Sequence, residues 1–279
     1  MGADFFHGKY GGIYDIMRTG PAEELNKTIN AQPAIYLHDL AVAEELRVRG
    51  VAPDCVAGFS LGEIPALVFA GALSKDEGLE LVQIRARAMQ KCCEEKPGTM
   101  VAVVRLDRNK LLGIVDEMED VWAVNFNSPE QIVCSCSLDE VDAFCNAVVA
   151  AGGRALRLKV SGAFHSPYMD RASEAIERHL AGKEVKTTKI PVYANANARP
   201  YCGGYKRLIA EQINHSVVWQ AAVENMLADG VRTFIEVGPG TALAGFVRKI
   251  VEHGSVEGVK ILSVSNMAEI SAVIKEERT

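Results

Sequence analysis

Cys55-Val56-Ala57-Gly58-Phe59-Ser60-Leu61-Gly62-Glu63 decides how this chain is read. A short apolar run enters a glycine-flanked serine, and a helical pattern from Glu63 to Ala72 leaves it. Strand, sharp turn and helix in that order make the G-x-S-x-G elbow. Its glycines let the strand and helix backbones approach, and its turn holds the serine hydroxyl out at the carboxyl edge of a sheet. A helix that starts directly after the turn sets free N–H groups and the positive end of its dipole beside Ser60. An oxyanion on a Ser60-bound carbonyl carbon would meet the Leu61 N–H there. The pentapeptide alone fits equally well a turn that happens to carry a serine. The strand and helix on either side favour the reactive reading.

Around this stretch lie 279 residues, 48% hydrophobic and 24% charged, with a net charge of -6. That is enough chain for one large domain or two modest ones with a real core. The acidic balance argues against a nucleic-acid binder, whose footprint would be basic. Seven scattered cysteines, an odd number without zinc-type spacing, read as small hydrophobes in a reducing compartment, and no metal is expected. No apolar run approaches membrane-spanning length, and Met1–Phe6 does not read as a secretory signal.

Upstream of the elbow, a helix is expected from about Asn30, as its cap, to Arg49, where Gly50 stops it. Downstream, a second helix runs from about Lys75 to Lys91. Pro97-Gly98 then breaks the pattern, and residues 98–161 read as strand, helix, strand, strand, helix, strand, the ferredoxin-like order. After Val160 the chain returns to helix and strand in alternation, ending with a strand at Thr233–Val237, Gly238-Pro239-Gly240 and a helix. The Gly-Pro-Gly turn resembles an anion-binding turn, a weak signal by itself.

A serine nucleophile needs a base. Among six histidines, His38, His179 and His253 lie in helical, largely polar surroundings and read as solvated. His165, in Ser161-Gly162-Ala163-Phe164-His165-Ser166-Pro167, follows a strand and precedes a helix, the strand-end position where such sheets gather their sites. By itself it reads as a satisfied loop histidine; with the elbow present it is the best base in the chain. No Asp or Glu stands out to orient it, and a backbone carbonyl near Ser216–Val218 is expected to do so. Arg85 sits at the edge of an apolar helix face, where it is either a solvated or structurally paired arginine or a bidentate clamp for a carboxylate. Asn125-Phe126-Asn127-Ser128-Pro129 ends a strand with two amides, a turn that also suits the lining of a cleft.

Taken together the residues resemble the malonyl-CoA:acyl carrier protein transacylases of fatty-acid synthesis and the related acyltransferase domains of polyketide synthases. The resemblance rests on Gly20-Pro21-Ala22-Glu23-Glu24-Leu25, Gln32-Pro33-Ala34, Gly58-Phe59-Ser60-Leu61-Gly62-Glu63, Arg85-Ala86-Arg87-Ala88-Met89-Gln90, Asn125-Phe126-Asn127-Ser128-Pro129, Gly162-Ala163-Phe164-His165-Ser166 and Glu236-Val237-Gly238-Pro239-Gly240. These run in the family's order from about Gly11. It implies an α/β fold: an α/β-hydrolase-like domain with a parallel central sheet (1–97 and 162–279) and an inserted ferredoxin-like α+β subdomain (98–161) forming one wall of the cleft. It implies that Ser60 carries the malonyl group as an ester, that His165 is the base, that Leu61 supplies an oxyanion N–H and that Arg85 holds the free carboxylate. Phe164 is expected to crowd a 2-methyl branch and Asn127 to contact substrate. The implied partners are malonyl-CoA and an acyl carrier protein, with no resident cofactor, no metal, no nucleic acid and no membrane. A cytoplasmic monomer is expected.

Two departures stand out. The family's Pro-Val-x-Trp element reads Ser216-Val217-Val218-Trp219 here. The family also opens with a strand and a Phe-Pro-Gly-Gln-Gly-Ser-Gln loop that gives a second oxyanion donor. The sequence contains no such segment, so a truncated or alternative start is expected. A serine thioesterase, and a weakly active or inactive carrier-binding homologue, are the competing expectations.

Overall fold

The apolar run before the elbow forms a short strand, β1 (Val56–Ala57), and the chain is assembled around its carboxyl end. The computed structural model of the chain describes residues 12–277. A helix α1 over residues 12–19 leads through Pro21 into α2 (Ala22–Leu25) and the long α3 (Thr28–Val48). Asn30 does not cap α3, which begins two residues earlier; its side chain instead donates to the Glu24 carbonyl at 2.9 Å. After β1 come the Ser60–Gly62 turn, α4 (Glu63–Phe69) and α5 (Lys75–Glu95). A capping box between Ser74 and Glu77 sets the start of α5.

The next segment supplies β2 (Gly98–Val104), α6 (Arg108–Asp116), β3 (Val121–Ser128), β4 (Gln131–Ser137), α7 (Val141–Ala150) and β5 (Arg154–Arg157). Its strands form an antiparallel sheet in the order β3-β4-β2-β5, which is the ferredoxin-like arrangement. Val101 and Val103 face α6 and α7, alongside Leu111, Phe144 and Val148. Met100 and Ala102 face the other way, with Val124, Val133 and Phe164. Both faces of β2 are therefore covered, which is why Met100–Val104 is a continuous apolar run rather than an alternating one.

The chain then returns through α8 (Asp170–Ala181), β6 (Val192–Tyr193), α9 (Tyr205–Glu211), α10 (Trp219–Ala228), β7 (Thr233–Val237), α11 (Ala242–His253), β8 (Lys260–Val264) and α12 (Met267–Glu277). The strands of this larger part are parallel, β1 with β6 and β7 with β8. Its main core lies among α3, α4, α5, α8 and α9, with Tyr36, Leu40, Leu67, Leu81, Ile176 and Ile209 at its centre. The two parts are stitched where β3 meets the entry to α10. Phe126 N–H donates to the Val217 carbonyl at 2.9 Å, and Val217 N–H to the Val124 carbonyl at 2.8 Å.

Candidate active site

The elbow forms because one glycine cannot be anything else. A Cβ on Gly58 would sit 1.9 Å from the carbonyl carbon and oxygen of Gly62, so the backbone approach demands a bare Cα there. Gly62 has no such constraint: a Cβ on it would meet nothing within 4 Å. Ser60 at the apex has φ 51°, the left-handed region that residues with a side chain adopt at a cost of about 1–2 kcal/mol. The Leu61 N–H follows at the first turn, on the side where helix N–H groups have no partner within their own helix.

Two sequence-predicted residues, His165 and Arg85, meet at the Ser60 hydroxyl. His165 Nε2 lies 2.8 Å from Ser60 Oγ. Arg85 Nη2 donates to the same oxygen at 3.0 Å. His165 Nδ1 lies 2.8 Å from the Gln212 carbonyl oxygen. A carbonyl only accepts, so Nδ1 carries the proton, and Nε2 is left to accept the Ser60 O–H. His165 is itself left-handed, with φ 61°, in a loop held by two serines. Ser135 Oγ on β4 donates to the Phe164 carbonyl at 2.5 Å, and Ser166 Oγ to the Ala163 carbonyl at 2.6 Å.

The orienting carbonyl is thus at Gln212, not near Ser216–Val218. The backbone groups of Val217 are consumed in the bridge to β3, and Ser216 Oγ is turned to the Ala123 carbonyl at 3.0 Å. Gln212 acts through its side chain as well. Its Nε2 donates to the Ser60 carbonyl at 3.2 Å, and its Oε1 accepts from Arg85 Nη2 at 3.3 Å.

Burial sets the electrostatics. His165 is 5% exposed, and burial, helped by the Arg85 charge, pushes its pKa down to about 4. The imidazole is neutral at pH 7, as a base must be. Arg85 is 2% exposed, and burial brings its guanidinium down to about 10. Its hydrogen-bond acceptors are amide and hydroxyl oxygens: Gln32 Oε1 at 2.7 Å, Ser60 Oγ and Gln212 Oε1. Its Nε has no partner among the described residues. A buried cation ringed by neutral acceptors is suited to receive an anion.

The remaining expectations fare unevenly. The side chain of Phe164, next to His165, packs half-buried between the main core and the inner face of the ferredoxin-like sheet. Asn127 is buried on β3 with Nδ2 bonded to Gln131 Oε1 at 2.8 Å, while its Oδ1 is unpartnered among the described residues. The Gly238-Pro239-Gly240 turn is no anion site, because the Glu236 carboxylate already accepts the Leu243 and Ala244 N–H groups at 3.1 and 2.8 Å. His38 is not solvated; its Nε2 lies 3.0 Å from the Ser265 carbonyl, and it is half-buried. Sequence reasoning gave no role to Gln32, Gln212, Asn195 or Glu63. Asn195 had a usable signal, since it stands just past the end of β6. Gln212 follows α9, a helix of seven residues too short to show periodicity. Among the described residues no cluster of three metal-ligating side chains occurs, and no helix is long and apolar enough to cross a membrane.

A model of the acyl transferase domain matches residues 6–274. Over 263 residues the chain is 35% identical to the malonyl CoA-acyl carrier protein transacylase of Bacillus subtilis (strain 168), covering 92% of this chain and 81% of that protein. The chain belongs to the malonyl-CoA:acyl carrier protein transacylase family. Among solved structures, the transacylase of this kind from Clostridium perfringens superposes with a TM-score of 0.89 at 32% identity, over 95% of this chain and 84% of that one. A malonyl-transacylase in complex with a type II polyketide synthase acyl-carrier protein superposes with a TM-score of 0.88 at 31% identity, over 95% and 86% of the two chains. Membership accounts for the mixed α/β architecture, with parallel strand pairs beside an antiparallel ferredoxin-like sheet.

Proposed function

We propose that the chain transfers a malonyl group from coenzyme A to the phosphopantetheine thiol of an acyl carrier protein, through an ester on Ser60. The observation that carries this is the convergence of His165 Nε2 and Arg85 Nη2 on one serine oxygen. Ser60 Oγ attacks the thioester carbon as its proton passes to His165 Nε2. The oxyanion is met by the Leu61 N–H, and the departing CoA sulfur takes the proton back from His165. The carrier thiol then gives its proton to His165 and attacks the ester, and Ser60 leaves reprotonated. Arg85 holds the malonyl carboxylate, so the acyl group is bound at both ends. Phe164 beside the base crowds a 2-methyl branch, and Asn127 offers substrate its unpartnered Oδ1. Residues 98–161 form one wall of the cleft, a reading supported by the Ser135 bond to the His165 loop. A cytoplasmic setting fits seven free cysteines.

Intact-mass analysis after incubation with malonyl-CoA is expected to show one malonyl adduct on the protein and none on Ser60→Ala. An adduct surviving in that variant overturns the assignment of the nucleophile.

The carrier is expected to be acidic and to approach positive side chains exposed on β5, just after it, and on α11. Arg157 is engaged by Asp142, and Lys249 lies 3.5 Å from both Glu130 and Glu252. Arg154, Lys159 and Arg248 are exposed and form no ion pair among the described residues, which leaves them for a partner. Reversing their charge is expected to slow transfer to the carrier in a salt-dependent way and to leave acylation by malonyl-CoA intact. An equal fall in acylation assigns them to the CoA site or the fold instead.

A further inference from the structure

The Ser60 backbone is strained, and something must hold it. Strained residues persist only where their surroundings over-determine them. The ladder between β1 and β6 ends at Ala57 and Tyr193. Beyond it, the Asn195 side chain takes over. Its Oδ1 accepts the Ser60 N–H at 2.7 Å, and its Nδ2 donates to the Gly58 carbonyl at 2.6 Å. One amide therefore grips the backbone on both sides of Phe59, from 135 residues away in sequence.

Asn195 is in turn fixed. Its N–H donates to Glu63 Oε1 at 2.9 Å, and its carbonyl accepts the Val218 N–H at 2.9 Å. All four of its polar groups are engaged. Glu63 lies one turn after Ser60 and is 1% exposed. Its Oε1 also accepts the Tyr201 hydroxyl at 2.9 Å, and Tyr201 is stacked on Tyr205 with ring centroids 4.9 Å apart. Burial pushes the Glu63 carboxyl up to about 7, against the pull of the Asn195 N–H, the Tyr201 hydroxyl and Arg85. A carboxyl is costly in such a place, and its Oε2 has no partner among the described residues. Its geometry gives it one task, to accept two donors at a single oxygen and so fix the Asn195 loop.

We propose that Asn195, anchored by Glu63 and Tyr201, is the positioning residue that holds Ser60 in its reactive backbone conformation. The chain acts in series. Glu63 and Tyr201 set Asn195, Asn195 sets the peptide groups flanking Ser60, and these aim Oγ at His165 Nε2 and the Leu61 N–H at the developing oxyanion. The Ser60 N–H is bound to Asn195 and is not an oxyanion donor. A misplacement of about 1 Å in such a site lowers the rate by about a hundredfold.

The inference rests on Ser60 being the nucleophile, and the test separates the two. A fluorophosphonate that labels reactive serines is used with the full chain, and KI, kinact and Tm are measured for each variant. Asn195→Ala is expected to lower kinact about a hundredfold with KI little changed. Glu63→Ala is expected to act in the same direction. Glu63→Gln keeps the acceptor oxygen and is expected to recover most of that loss. The double variant Glu63→Ala/Asn195→Ala is expected to be no slower than Asn195→Ala alone, since the two act in series. Should Asn195→Ala not fold, Asn195→Asp serves, because it keeps the acceptor for the Ser60 N–H and loses the donor to Gly58. It is expected to lower kinact as well. A wild-type kinact in a folded Asn195 variant overturns the proposal, as does a Glu63→Gln variant as slow as Glu63→Ala. Failure of the unaltered chain to be labelled at Ser60 strikes the nucleophile assignment itself.

Discussion

Replacing His165 by alanine is expected to slow both half-reactions, acylation by malonyl-CoA and transfer to the carrier, by about 10²–10⁴-fold. One nitrogen serves both steps, because Nε2 stands 2.8 Å from Ser60 Oγ and Nδ1 is committed to the Gln212 carbonyl. Stopped-flow measurement of the two steps separately checks this; a normal second step would mean a different base for the thiol. The pH profile gives an independent reading. With the imidazole pushed down to about 4, acylation is expected to persist well below pH 6.5 and to fall only near pH 4. The sign for stability is the same. The depressed pKa contributes stability that is fully present above the ordinary value of 6.5 and is lost as pH falls towards 4, because only the unfolded chain takes up the proton in that window. His165→Ala is expected to flatten this part of the stability curve. Glu63 titrates higher, near 7. An inflection near neutrality that disappears in Glu63→Gln belongs to that carboxyl. One in the acylation profile that survives the change overturns the depression of His165 to about 4.

Much of the site is local in sequence, and that part was legible. The elbow is one continuous stretch whose glycine, serine and following helix each have a short-range reason to be there. His165 was legible by elimination and by its place at the end of a strand. The ferredoxin-like unit showed itself through the alternation of strand and helix patterns between Gly98 and Val160. What was not legible is held by long-range pairing. The Gln212 carbonyl orients the base from 47 residues away, and no backbone carbonyl differs from another in sequence. Gln32 and Arg85 meet across 53 residues, and the two helices that bring them together, α3 and α5, show their registers only when packed. Asn195 and Glu63 bond to each other across 132 residues, and nothing local to either one marks the pairing. The false signal at Gly238-Pro239-Gly240 has the same origin. The turn is real, but Glu236 two residues before it fills the site from within.

Arg85 is the residue whose replacement is expected to change specificity most. Arg85→Met should weaken transfer of malonyl far more than transfer of acetyl. Leaving a buried carboxylate without its guanidinium costs on the order of 3–5 kcal/mol, a factor of hundreds to thousands in rate or affinity, and acetyl has no carboxylate to strand. Arg85 also donates to Ser60 Oγ, so a common fall for both substrates is expected, and the malonyl-to-acetyl ratio is the quantity to measure. An unchanged ratio removes the clamp. The same replacement is expected to leave the fold at least as stable, as judged by Tm. The guanidinium is 2% exposed, its Nε lacks a partner, and the acceptors around it are Gln32, Gln212 and a hydroxyl rather than a carboxylate at bonding distance. A charge so placed is a burden to the folded state, and a methionine of similar length relieves it. Its loss also reaches its neighbours. Arg85 helps hold the His165 imidazole down and opposes the rise of the Glu63 carboxyl. In Arg85→Met the acid limb of Ser60 labelling is therefore expected to move up from about pH 4, and the Glu63 carboxyl to titrate above its present value near 7. A limb that stays in place would mean that burial alone depresses His165.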